Sequence, residues 1–299
     1  MYSRILLTGA AGRLGTVLRP FIASRWTLRS GDLRPLTDLH PNEEAVQFDL
    51  RDWNSVSAAM DGCDCVLHFG GIPMEADFGA IQGINITGTY NIFESARLAG
   101  VTRVIFASTH HVVGYARIAE QLDASAPVRP DGLYGVSKVF GEALGRFYWD
   151  RFGIEVASMR IGMVVPEAYD RRSLGLWLSP ADLCRLVLAC LKVPKLGFAV
   201  LFGQSANDRA WLSNELAAHV GYVPEDNAEQ FAASMPDITT SADASDPGQI
   251  FTGGYFTSST PPRWQGPETN SPPPLAKDSP ILRSDLSRPE ILNRSRRAL

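Results

Sequence analysis

The sequence predicts an α/β protein with a doubly wound parallel sheet and a small C-terminal lobe. Short apolar runs alternate with amphipathic stretches through the first two thirds of the 299 residues, which is the order expected of parallel strands and their crossover helices. A glycine-rich segment joins the first run to the first helical stretch, as a tight strand-to-helix turn requires. With 45% hydrophobic and 20% charged residues, the chain has the composition of a globular protein rather than of a coiled coil or a disordered polymer.

Six apolar runs predict buried parallel strands. Each has four to seven residues, is rich in aliphatic side chains and Phe, and lacks the polar alternation of a half-exposed strand. The runs occupy residues 4–8, 27–30, 45–48, 65–69, 103–107 and 155–161. The helical patterns between them occupy residues 12–23, 53–60, 84–99 and 134–152.

From about residue 162 this alternation loosens. The sequence predicts a loop over residues 166–174, a helix over 180–191, a short strand near 198–202 and a further helix from about Asn207. Such elements usually form a lobe over the strand ends. Residues 258–299 are predicted to be a disordered tail, because eight of the 39 residues in 261–299 are proline. The tail is basic, so it is either solvated or a weak docking segment.

The charge balance argues against nucleic acid as a partner. Lys plus Arg total 28 against 32 Asp plus Glu, a formal net charge of −4, so no overall basic field draws the chain to nucleic acid or to anionic lipid. No apolar stretch approaches the ~20 residues of a membrane span, and the first run is too short for a signal peptide. The four cysteines lack CxxC spacing, which favours reduced core thiols. A cytoplasmic enzyme or binding protein is expected.

The segment TGAAGRLG, residues 8–15, follows the first predicted strand and runs directly into a helix. Gly9 permits a tight turn, Gly12 lets the backbone approach a pyrophosphate, and Gly15 brings helix and strand into contact. The helix N-terminus then faces the phosphates. This segment predicts a dinucleotide site of the Rossmann type. Ala11, Arg13 and Leu14 are expected to contact the same cofactor.

Asp32 ends the second predicted strand, 23 residues after Gly9. A carboxylate there accepts hydrogen bonds from both adenosine ribose hydroxyls and repels a 2′-phosphate, so NAD is favoured over NADP. Arg34 either weakens that preference, by receiving the phosphate, or is a surface residue. The carboxylate of Asp49 is expected to take the adenine amino group. Further backbone contacts with the cofactor are expected at Leu50, Phe69, Gly70 and Gly71.

Tyr134 and Lys138 stand four residues apart at the start of a predicted helix, hence on one face. A free tyrosine has a pKa near 10 and is a poor base at neutral pH. An adjacent ammonium and the positive charge of an oxidised nicotinamide both favour the phenolate. The spacing therefore predicts a proton-transfer pair, with Lys138 also holding the nicotinamide ribose, although two residues on an amphipathic helix give the same pattern.

A third member of this group is expected at the end of the fifth strand. A hydroxyl there hydrogen-bonds the substrate oxygen and orients it toward Tyr134; Thr109 is the first candidate and Ser108 the second. His110 and His111 follow. Adjacent histidines rarely chelate one metal ion, and no carboxylate or cysteine stands at ligand spacing, so substrate contact or structural hydrogen bonding is expected and no metal site is predicted.

Taken together, these motifs resemble those of the extended short-chain dehydrogenases/reductases, the epimerase/dehydratase superfamily, over residues 1–256. The matching segments are TGAAGRLG, Asp32, HFGG at 68–71, NITGTYN at 85–91, YGVSK at 134–138 and RIG at 160–162. Within that superfamily the chain is most similar to the uronate dehydrogenases. That narrower resemblance rests on RPDGLYGVSK at 129–138, LFGQSAND at 201–208 and FTGG at 251–254.

The resemblance implies an NAD-dependent enzyme that oxidises C1 of a cyclic hexuronate, such as glucuronate or galacturonate, to an aldarolactone. By position, Tyr134 is the base, Lys138 its partner, Thr109 the hydroxyl donor and Asn85 a cofactor contact. Arg172 is implied as the anchor of the substrate carboxylate, because a guanidinium binds carboxylate bidentately. Arg171 is the alternative candidate for that role. Either arginine could instead be a solvent-exposed side chain without a role in binding.

Three implied substrate contacts depart from the family pattern. The family commonly has Ser-Ser-Asn-His where this chain has Ser108 to His111, and serine where Pro73 and Met163 stand. Losing a hydroxyl that pairs a sugar oxygen costs ~1–3 kcal/mol if the partner is left unsatisfied. The chemistry is expected to survive while the preferred sugar changes. The full set of expected substrate contacts is Pro73, Thr109, His110, His111, Tyr134, Met163 and Arg172.

The resulting expectation is an NAD-binding core over residues 1–161, a substrate lobe over 162–257 whose last elements return to the core, and the tail. The alternatives are a dehydrogenase of another aldose or polyol, a nucleotide-sugar epimerase or dehydratase, and a non-catalytic NAD sensor. The short segment after residue 162 argues against a nucleotide-sugar pocket, and the Tyr134–Lys138 pair argues against a mere sensor. The resemblance also implies a homo-oligomer that pairs through helices 84–99 and 134–152.

Overall fold

A computed structural model describes residues 2–235 and 246–258 of the chain. Within them, one sheet of seven parallel strands is formed by β1 (Arg4–Thr8), β2 (Thr27–Asp32), β3 (Glu43–Gln47), β4 (Cys65–His68), β5 (Arg103–Thr109), β6 (Glu155–Ile161) and β7 (Phe198–Gly203). The strand order is β3-β2-β1-β4-β5-β6-β7. The predicted doubly wound parallel sheet is thereby confirmed.

The described residues form both long and very short helices. The α-helices are α1 (Arg13–Ala23), α2 (Trp53–Met60), α3 (Phe78–Ala80), α4 (Gly88–Leu98), α5 (Leu133–Phe152), α6 (Ser173–Leu176), α7 (Pro180–Lys192), α8 (Pro247–Ile250) and α9 (Tyr255–Ser258). A π-helix at Ile81–Thr87 precedes α4, and short 3-10 helices lie at His110–Val113, Ile118–Glu120, Glu215–Val220 and Ala228–Ser234.

Successive residues of the sheet face two separate hydrophobic layers. Along β1, Ile5 and Leu7 pack with α1 and α7, whereas Leu6 packs with α2, α4 and α5. All three side chains are fully buried. A parallel sheet covered by helices on both faces needs strands that are apolar on both sides, which is why the apolar runs of the sequence identify the strands.

The direction of the strand order reverses between β1 and β4. The chain moves outward from β1 through β2 to β3, and then returns to β4 on the other side of β1. In open α/β sheets such a reversal leaves a crevice at the carboxyl ends of the strands. The segments after β1 and β4 therefore meet at the edge of the sheet where a ligand is expected.

Two expectations about individual elements are wrong. The strand predicted at residues 45–48 spans Glu43–Gln47 and is not buried, because it forms the edge of the sheet and most of its side chains meet solvent. The helix predicted from about Asn207 is absent, because the side chain of Asn207 bonds the carbonyl O of Trp177 at 2.8 Å and the backbone N of Ala228 at 3.1 Å. The chain forms a helical turn only from Glu215.

The segment after residue 161 contributes to the sheet itself, because β7 pairs with β6 and α7 covers the same face as α1. Part of the predicted loop at residues 166–174 forms the start of α6. The predicted tail lies outside the described residues, apart from Ser258 at the end of α9. All four cysteines are buried free thiols. Across residues 2–235 and 246–258, the helices are too short or too polar to cross a membrane.

Candidate active site

The glycine-rich loop after β1 packs directly against the backbone after β4. Gly9 has a φ of +72°, which favours glycine, and a Cβ on Gly9 would lie 2.7 Å from the backbone N of Gly70. A Cβ on Gly15 would lie 2.3 Å from the carbonyl O of Gly9. Both positions therefore need glycine for the loop, the helix and the neighbouring strand end to approach one another.

The N-terminus of α1 opens onto the same edge of the sheet. Gly12 precedes the helix and offers no side chain to cap it, so the first backbone N–H groups, those of Arg13, Leu14 and Gly15, have no intrahelical acceptor. Such a terminus binds anions through its N–H groups and its dipole. These residues fit the pyrophosphate of a dinucleotide.

Asp32, at the end of β2, holds the glycine-rich loop. Its carboxylate accepts the backbone N–H of Ala11 at 2.9 Å and that of Arg34 at 3.0 Å. The guanidinium of Arg34 donates to the carbonyl O of Ala11, and its Nε lies 3.6 Å from Asp32 Oδ1. Arg34 is thus an exposed surface residue that lies across the loop beside Asp32, and the pair fits the ribose end of an adenosine.

Asp49 and Leu50 lie at the next position along the same edge. The guanidinium of Arg51 donates to Asp49 from Nη2 at 2.6 Å and from Nε at 3.0 Å, and these bonds lower the pKa of Asp49. The carboxylate is thus ionised and already has a partner, so an adenine amino group would share it with Arg51. Leu50 Cδ1 would lie 3.1 Å from a Cβ on Gly70, which places this side chain against the strand end where Phe69 and Gly70 stand.

Asn85 ties the loop after β4 to the helix that carries Tyr134. Its amide accepts the backbone N–H of Ile72 at 2.8 Å and donates to the carbonyl O of Ile72 at 3.0 Å and to Ser137 Oγ at 3.1 Å. Gly71 has a φ of +149°, and a Cβ there would lie 3.0 Å from Asn85 Oδ1 and 3.9 Å from Lys138 Nζ. Both polar atoms of the Asn85 side chain thus bond other residues of the protein, so Asn85 fixes the position of the loop within the predicted cofactor site.

Tyr134 and Thr109 meet at the carboxyl edge of the sheet. Tyr134 is buried, and its burial raises the pKa of the phenol to about 12, while a hydrogen bond with the Thr109 side chain opposes that rise. The sequence predicted a lowered pKa at Tyr134. In the described residues burial has the larger effect, so the phenol stays protonated until further positive charge is supplied beside it.

Lys138 lies one helical turn beyond Tyr134, with Nζ 5.8 Å from the centre of the Tyr134 ring. Its ammonium is buried and donates to the carbonyl O of Ala107 at 2.8 Å. Burial lowers the pKa of Lys138 to about 8. Lys138 can therefore exchange a proton closer to neutral pH than an exposed lysine.

Ser108, the second candidate for the substrate hydroxyl contact, has another role. Its Oγ donates to Glu142 Oε1 at 2.6 Å, and Glu142 also accepts two bonds from Arg160, at 3.0 and 2.8 Å. All three residues are buried. This network joins β5, α5 and β6, so the structure favours Thr109 over Ser108 as the hydroxyl beside Tyr134.

His110 and Arg172 form a direct hydrogen bond although 62 residues separate them. Nη2 of Arg172 donates to His110 Nε2 at 3.1 Å and also to the carbonyl O of Thr252. The other ring nitrogen of His110, Nδ1, lies 3.1 Å from the carbonyl O of Ile161. Burial lowers the pKa of His110 well below its ordinary value, so the ring is neutral, with its proton on Nδ1. Arg172, the predicted carboxylate anchor, thus lies at this edge.

His111 is paired with Asp131, a residue that sequence reasoning did not include in the site. Nδ1 of His111 lies 2.6 Å from Asp131 Oδ2, and the ring centre of His111 is 5.8 Å from that of Tyr134. Burial lowers the pKa of His111 to about 3 and raises that of Asp131 to about 7. A Cβ on Gly114 or Gly253 would lie within 2.0 Å of Asp131 Oδ2, so two glycines enclose the carboxyl group.

Glu75 is a second residue that the sequence did not indicate. Its two carboxylate oxygens accept the backbone N–H groups of Leu133 and Tyr134, each at 2.9 Å. Gly132 has no side chain for capping, and a Cβ there would lie 2.3 Å from Glu75 Oε2. The contact spans 58 residues, so no local pattern reveals it. For Asp131, the only signal was its place within the RPDGLYGVSK segment.

The remaining predicted contacts are distributed around these groups. Pro73 is exposed on the loop between Gly71 and Glu75. Met163 follows β6 and packs on the apolar cluster that includes Leu176. Arg171 is exposed beside Arg172. The structure therefore brings Tyr134, Thr109, Lys138, His110, His111 and Arg172 to one edge of the sheet.

Comparison with known proteins adds an independent observation. A model of the NAD dependent epimerase/dehydratase family matches residues 5–176. A uronate dehydrogenase of Pseudomonas putida is 42% identical over 262 residues, which are 87% of this chain and 97% of that protein. A crystal structure of uronate dehydrogenase from Agrobacterium tumefaciens, a tyrosine-to-alanine variant complexed with NAD, is 45% identical with a TM-score of 0.82, covering 86% of this chain and 98% of that one. Glucuronic acid dehydrogenase from Chromohalobacter salexigens is 38% identical with a TM-score of 0.84, covering 88% and 99%.

Proposed function

The chain belongs to the NAD-dependent epimerase/dehydratase family, and from this premise we propose that it is a uronate dehydrogenase. It oxidises C1 of a cyclic hexuronate, such as glucuronate or galacturonate, with NAD and forms an aldarolactone. The observation that carries the proposal is the buried contact of Tyr134 with Thr109 beside Lys138. The similarity to uronate dehydrogenases over nearly their whole length supports the substrate class.

In this reaction Tyr134 takes the proton of the C1 hydroxyl. Bound NAD supplies the acceptor for the hydride that leaves C1, so that the C1–O bond becomes a carbonyl. Thr109 holds the same oxygen and orients it toward the phenol. Lys138 is buried near the Tyr134 ring with a pKa of about 8, which suits it to pass the proton onward.

Arg172 binds the carboxylate of the uronate in this proposal. Nη2 of Arg172 already donates to His110 and Thr252, but its Nε is buried without a hydrogen-bond partner among the described residues, and an unpaired buried N–H of a charged group favours an anionic ligand. His110 Nε2 accepts from Arg172 and so fixes the direction of the fork. The site then binds the sugar at both ends, with the C1 hydroxyl at Tyr134 and the carboxylate at Arg172.

A dehydrogenase of another aldose or polyol is a second candidate, favoured by one observation. Met163 packs on an apolar cluster, and Pro73 offers no side-chain hydrogen bond, although the family pattern has serine at both positions. Sugars that lack the hydroxyls normally held by those serines would lose less binding energy here. This candidate keeps the roles of Tyr134, Thr109 and Lys138 and changes only the sugar.

We infer that residues 1–161 supply the cofactor contacts and that residues 162–257 supply Met163 and Arg172 to the substrate, although β7 and α7 of that second segment belong to the core. We further infer that a second copy of the chain packs on α4 and α5. Exposed apolar side chains on those helices support this, namely Tyr90, Leu98, Val136 and Phe147. Light scattering on the purified chain measures the assembly, and a monomer at all concentrations would contradict it.

The proposal predicts NADH formation when the purified protein is mixed with NAD and a uronate. Initial rates are measured with glucuronate, galacturonate, glucose, arabinose and a polyol, each with NAD and with NADP. We expect the uronates to give the largest kcat/KM and NAD to exceed NADP, because Asp32 repels a 2′-phosphate. Turnover of neutral sugars but not of uronates would select the second candidate, and no NADH with any sugar would contradict both.

A further inference from the structure

A buried carboxyl group and a histidine beside Tyr134 form a pair to which the proposed reaction assigns no role. Nδ1 of His111 lies 2.6 Å from Asp131 Oδ2, and the two side chains are 11% and 0% exposed. The other carboxyl oxygen of Asp131, Oδ1, is buried without a partner among the described residues. Burying a carboxyl group costs free energy unless its hydrogen bonds are made, so this acid depends on its bond to His111.

Backbone pairing brings Asp131 to His111. Both residues lie in the connection between β5 and α5, which folds back on itself. The backbone N–H of Arg129 donates to the carbonyl O of Val112 at 2.8 Å, and that of Tyr115 donates to the carbonyl O of Arg129 at 2.9 Å. These bonds hold the chain just before Asp131 against the short helix that carries His111. The position of the acid is therefore set by the backbone.

The imidazole ring of His111 is confined by its neighbours. The rings of His110 and Phe256 each lie 4.2 Å from it between ring centres, and the Tyr134 ring meets it edge-on with ring centres 5.8 Å apart. Half a turn of the imidazole about χ2 would exchange its nitrogen and carbon positions. The bond to Asp131 selects the orientation with Nδ1 toward the acid. Nε2 then points away from the acid, and it bonds none of the residues that the structure describes.

The same bond decides which ring nitrogen carries the proton of the neutral imidazole. Burial, and then the charge of Arg172, lower the pKa of His111 to about 3, and burial raises the pKa of Asp131 to about 7. While Asp131 is protonated, its Oδ2 donates to Nδ1 and the ring proton is on Nε2. Once Asp131 is ionised, Nδ1 donates to Oδ2 and Nε2 becomes an acceptor. In either state Nε2 can make one defined hydrogen bond with a hydroxyl.

We propose that Asp131 is a positioning residue for the dehydrogenation: it fixes the orientation and the tautomer of His111, so that His111 Nε2 hydrogen-bonds a sugar hydroxyl close to C1. The inference rests on the proposed function, because it takes Tyr134 as the base that receives the proton of the C1 hydroxyl. The backbone N–H of His111 donates to Thr109 Oγ1 at 3.3 Å, so the ring adjoins the hydroxyl that holds the C1 oxygen. A ring that is already oriented loses less conformational freedom when the sugar binds.

The test measures KM and kcat for the sugar that the wild type oxidises best, together with the dissociation constant for NAD. Asp131→Ala should raise KM about tenfold, the value of one lost hydrogen bond, while kcat and the affinity for NAD change less than about threefold. Asp131→Asn keeps the shape and one hydrogen bond to His111, so its KM should stay within about threefold of the wild type. Asp123→Ala is the matched control, because it removes an acid of the same connection that bonds Ser125, and should leave KM unchanged.

A double-mutant cycle tests whether Asp131 acts through His111. His111→Ala should raise KM at least as much as Asp131→Ala does. Adding Asp131→Ala to His111→Ala should then have no further effect on KM, because both changes remove the same contact with the sugar. A residue that only supports the fold would instead add its own effect to that of His111→Ala.

Two conservative variants of His111 give an independent measurement with Asp131 intact. The amide of a glutamine lies near the position of Nε2, and that of an asparagine lies near the position of Nδ1. His111→Gln therefore keeps a hydrogen-bonding group for the sugar, whereas His111→Asn keeps one for Asp131. We expect KM for the sugar to be lower in His111→Gln than in His111→Asn.

The outcomes separate this inference from the proposed function. If the wild type oxidises a uronate but Asp131→Ala leaves KM unchanged, or if the KM effects of the two alanine variants multiply, the inference is wrong and the uronate dehydrogenase proposal stands. If KM is lower in His111→Asn than in His111→Gln, Nε2 does not contact the sugar and the inference is also wrong. The His111 variants give this answer even if Asp131→Ala does not fold. If the wild type oxidises no sugar, the proposed function itself fails.

Discussion

Ionisation of one side chain controls the proposed chemistry at the scale of single residues. Burial raises the pKa of Tyr134 to about 12 and lowers that of Lys138 to about 8, so the protein alone disfavours both the phenolate and the ammonium. An oxidised nicotinamide brings a positive charge to the same edge and favours the phenolate. The base therefore becomes active mainly when the cofactor is bound, which limits proton abstraction to the productive complex.

Tyr134→Phe should lower kcat by about 10²- to 10⁴-fold, the usual contribution of general acid–base catalysis. The dissociation constant for NAD, measured by isothermal titration, should change little because the ring remains and only the hydroxyl is lost. Tyr90→Phe, which removes an exposed hydroxyl on α4, is the control and should keep full activity. Turnover by Tyr134→Phe equal to that of the wild type would show that another group takes the proton.

The sequence predicted which residues form the site where a local motif contains them. It did not do so where the role of a residue depends on a partner far away along the chain. Thr109 and Ser108 are adjacent hydroxyls that spacing alone does not separate. The distinction comes from Glu142, which engages Ser108 from another element. Asp131 likewise gains its role only because folding places it against His111. Such partners are chosen by tertiary packing, which a single sequence does not display.

At the scale of elements, the position of α5 depends on a residue outside the helix. The first turn of a helix has N–H groups without intrahelical acceptors, and Gly132 offers no cap. Glu75 supplies both oxygens from the loop after β4 and places a negative charge at the positive end of the helix dipole. Because one of the two capped groups is the N–H of Tyr134, the same contact that stabilises the helix also positions the proposed base.

Glu75→Ala should lower the free energy of unfolding by about 2 kcal/mol, because two hydrogen bonds to a charged group are lost. It should also reduce kcat by about tenfold through displacement of Tyr134, since small misplacements of a reacting group are costly. Glu75→Gln, which keeps one acceptor oxygen, should be intermediate in both measurements.

The control for this prediction is Glu225→Ala, which removes a surface carboxylate that pairs with Arg185 at 2.7 Å. An exposed ion pair contributes at most about 1 kcal/mol, and the partner of Glu225, Arg185, lies on α7 rather than on α5. Urea unfolding and initial rates on the three variants give the comparison. If Glu75→Ala behaves like Glu225→Ala in both assays, the capping role of Glu75 is refuted.

The positions of strands and helices were predictable where the burial of apolar side chains determines them. β1 and β6 match their apolar runs because both lie inside the sheet, whereas β3 departs because an edge strand is not selected for burial on both faces. The helix expected at Asn207 failed because a buried amide there bonds other segments. Side-chain hydrogen bonds to backbone compete with helix formation, and hydrophobic periodicity does not report them.

At the scale of the whole molecule, the last described segment returns to close the site. The backbone N–H of Thr252 donates to the carbonyl O of Ala116 at 2.9 Å, and that of Gly253 donates to Gly114 at 2.8 Å. The ring of Phe256 then contacts that of His111, with ring centres 4.2 Å apart and the planes tilted by 44°. Residues from the middle and from the end of the described chain therefore enclose the Asp131 carboxyl group, whose Oδ1 has no hydrogen-bond partner among the described residues.

This burial makes the stability of the fold depend on pH through Asp131. The pKa of Asp131 is raised from 3.8 to about 7 in the folded protein, so between these values the folded state holds a proton that the unfolded state has lost. The stabilisation is complete below pH 4 and disappears as the pH rises through 7.

The variant Asp131→Asn tests this dependence, because it keeps an oxygen for His111 but cannot ionise. The free energy of unfolding of the wild type, minus that of Asp131→Asn, should therefore fall from pH 4 to pH 8 by at least about 1.4 kcal/mol, the value of one pKa unit. The titration of His111 in the unfolded state is common to both proteins and largely cancels in this difference, which urea unfolding at several pH values measures. A difference that rises with pH would mean instead that Asp131 is ionised in the folded state and stabilised by a protonated His111.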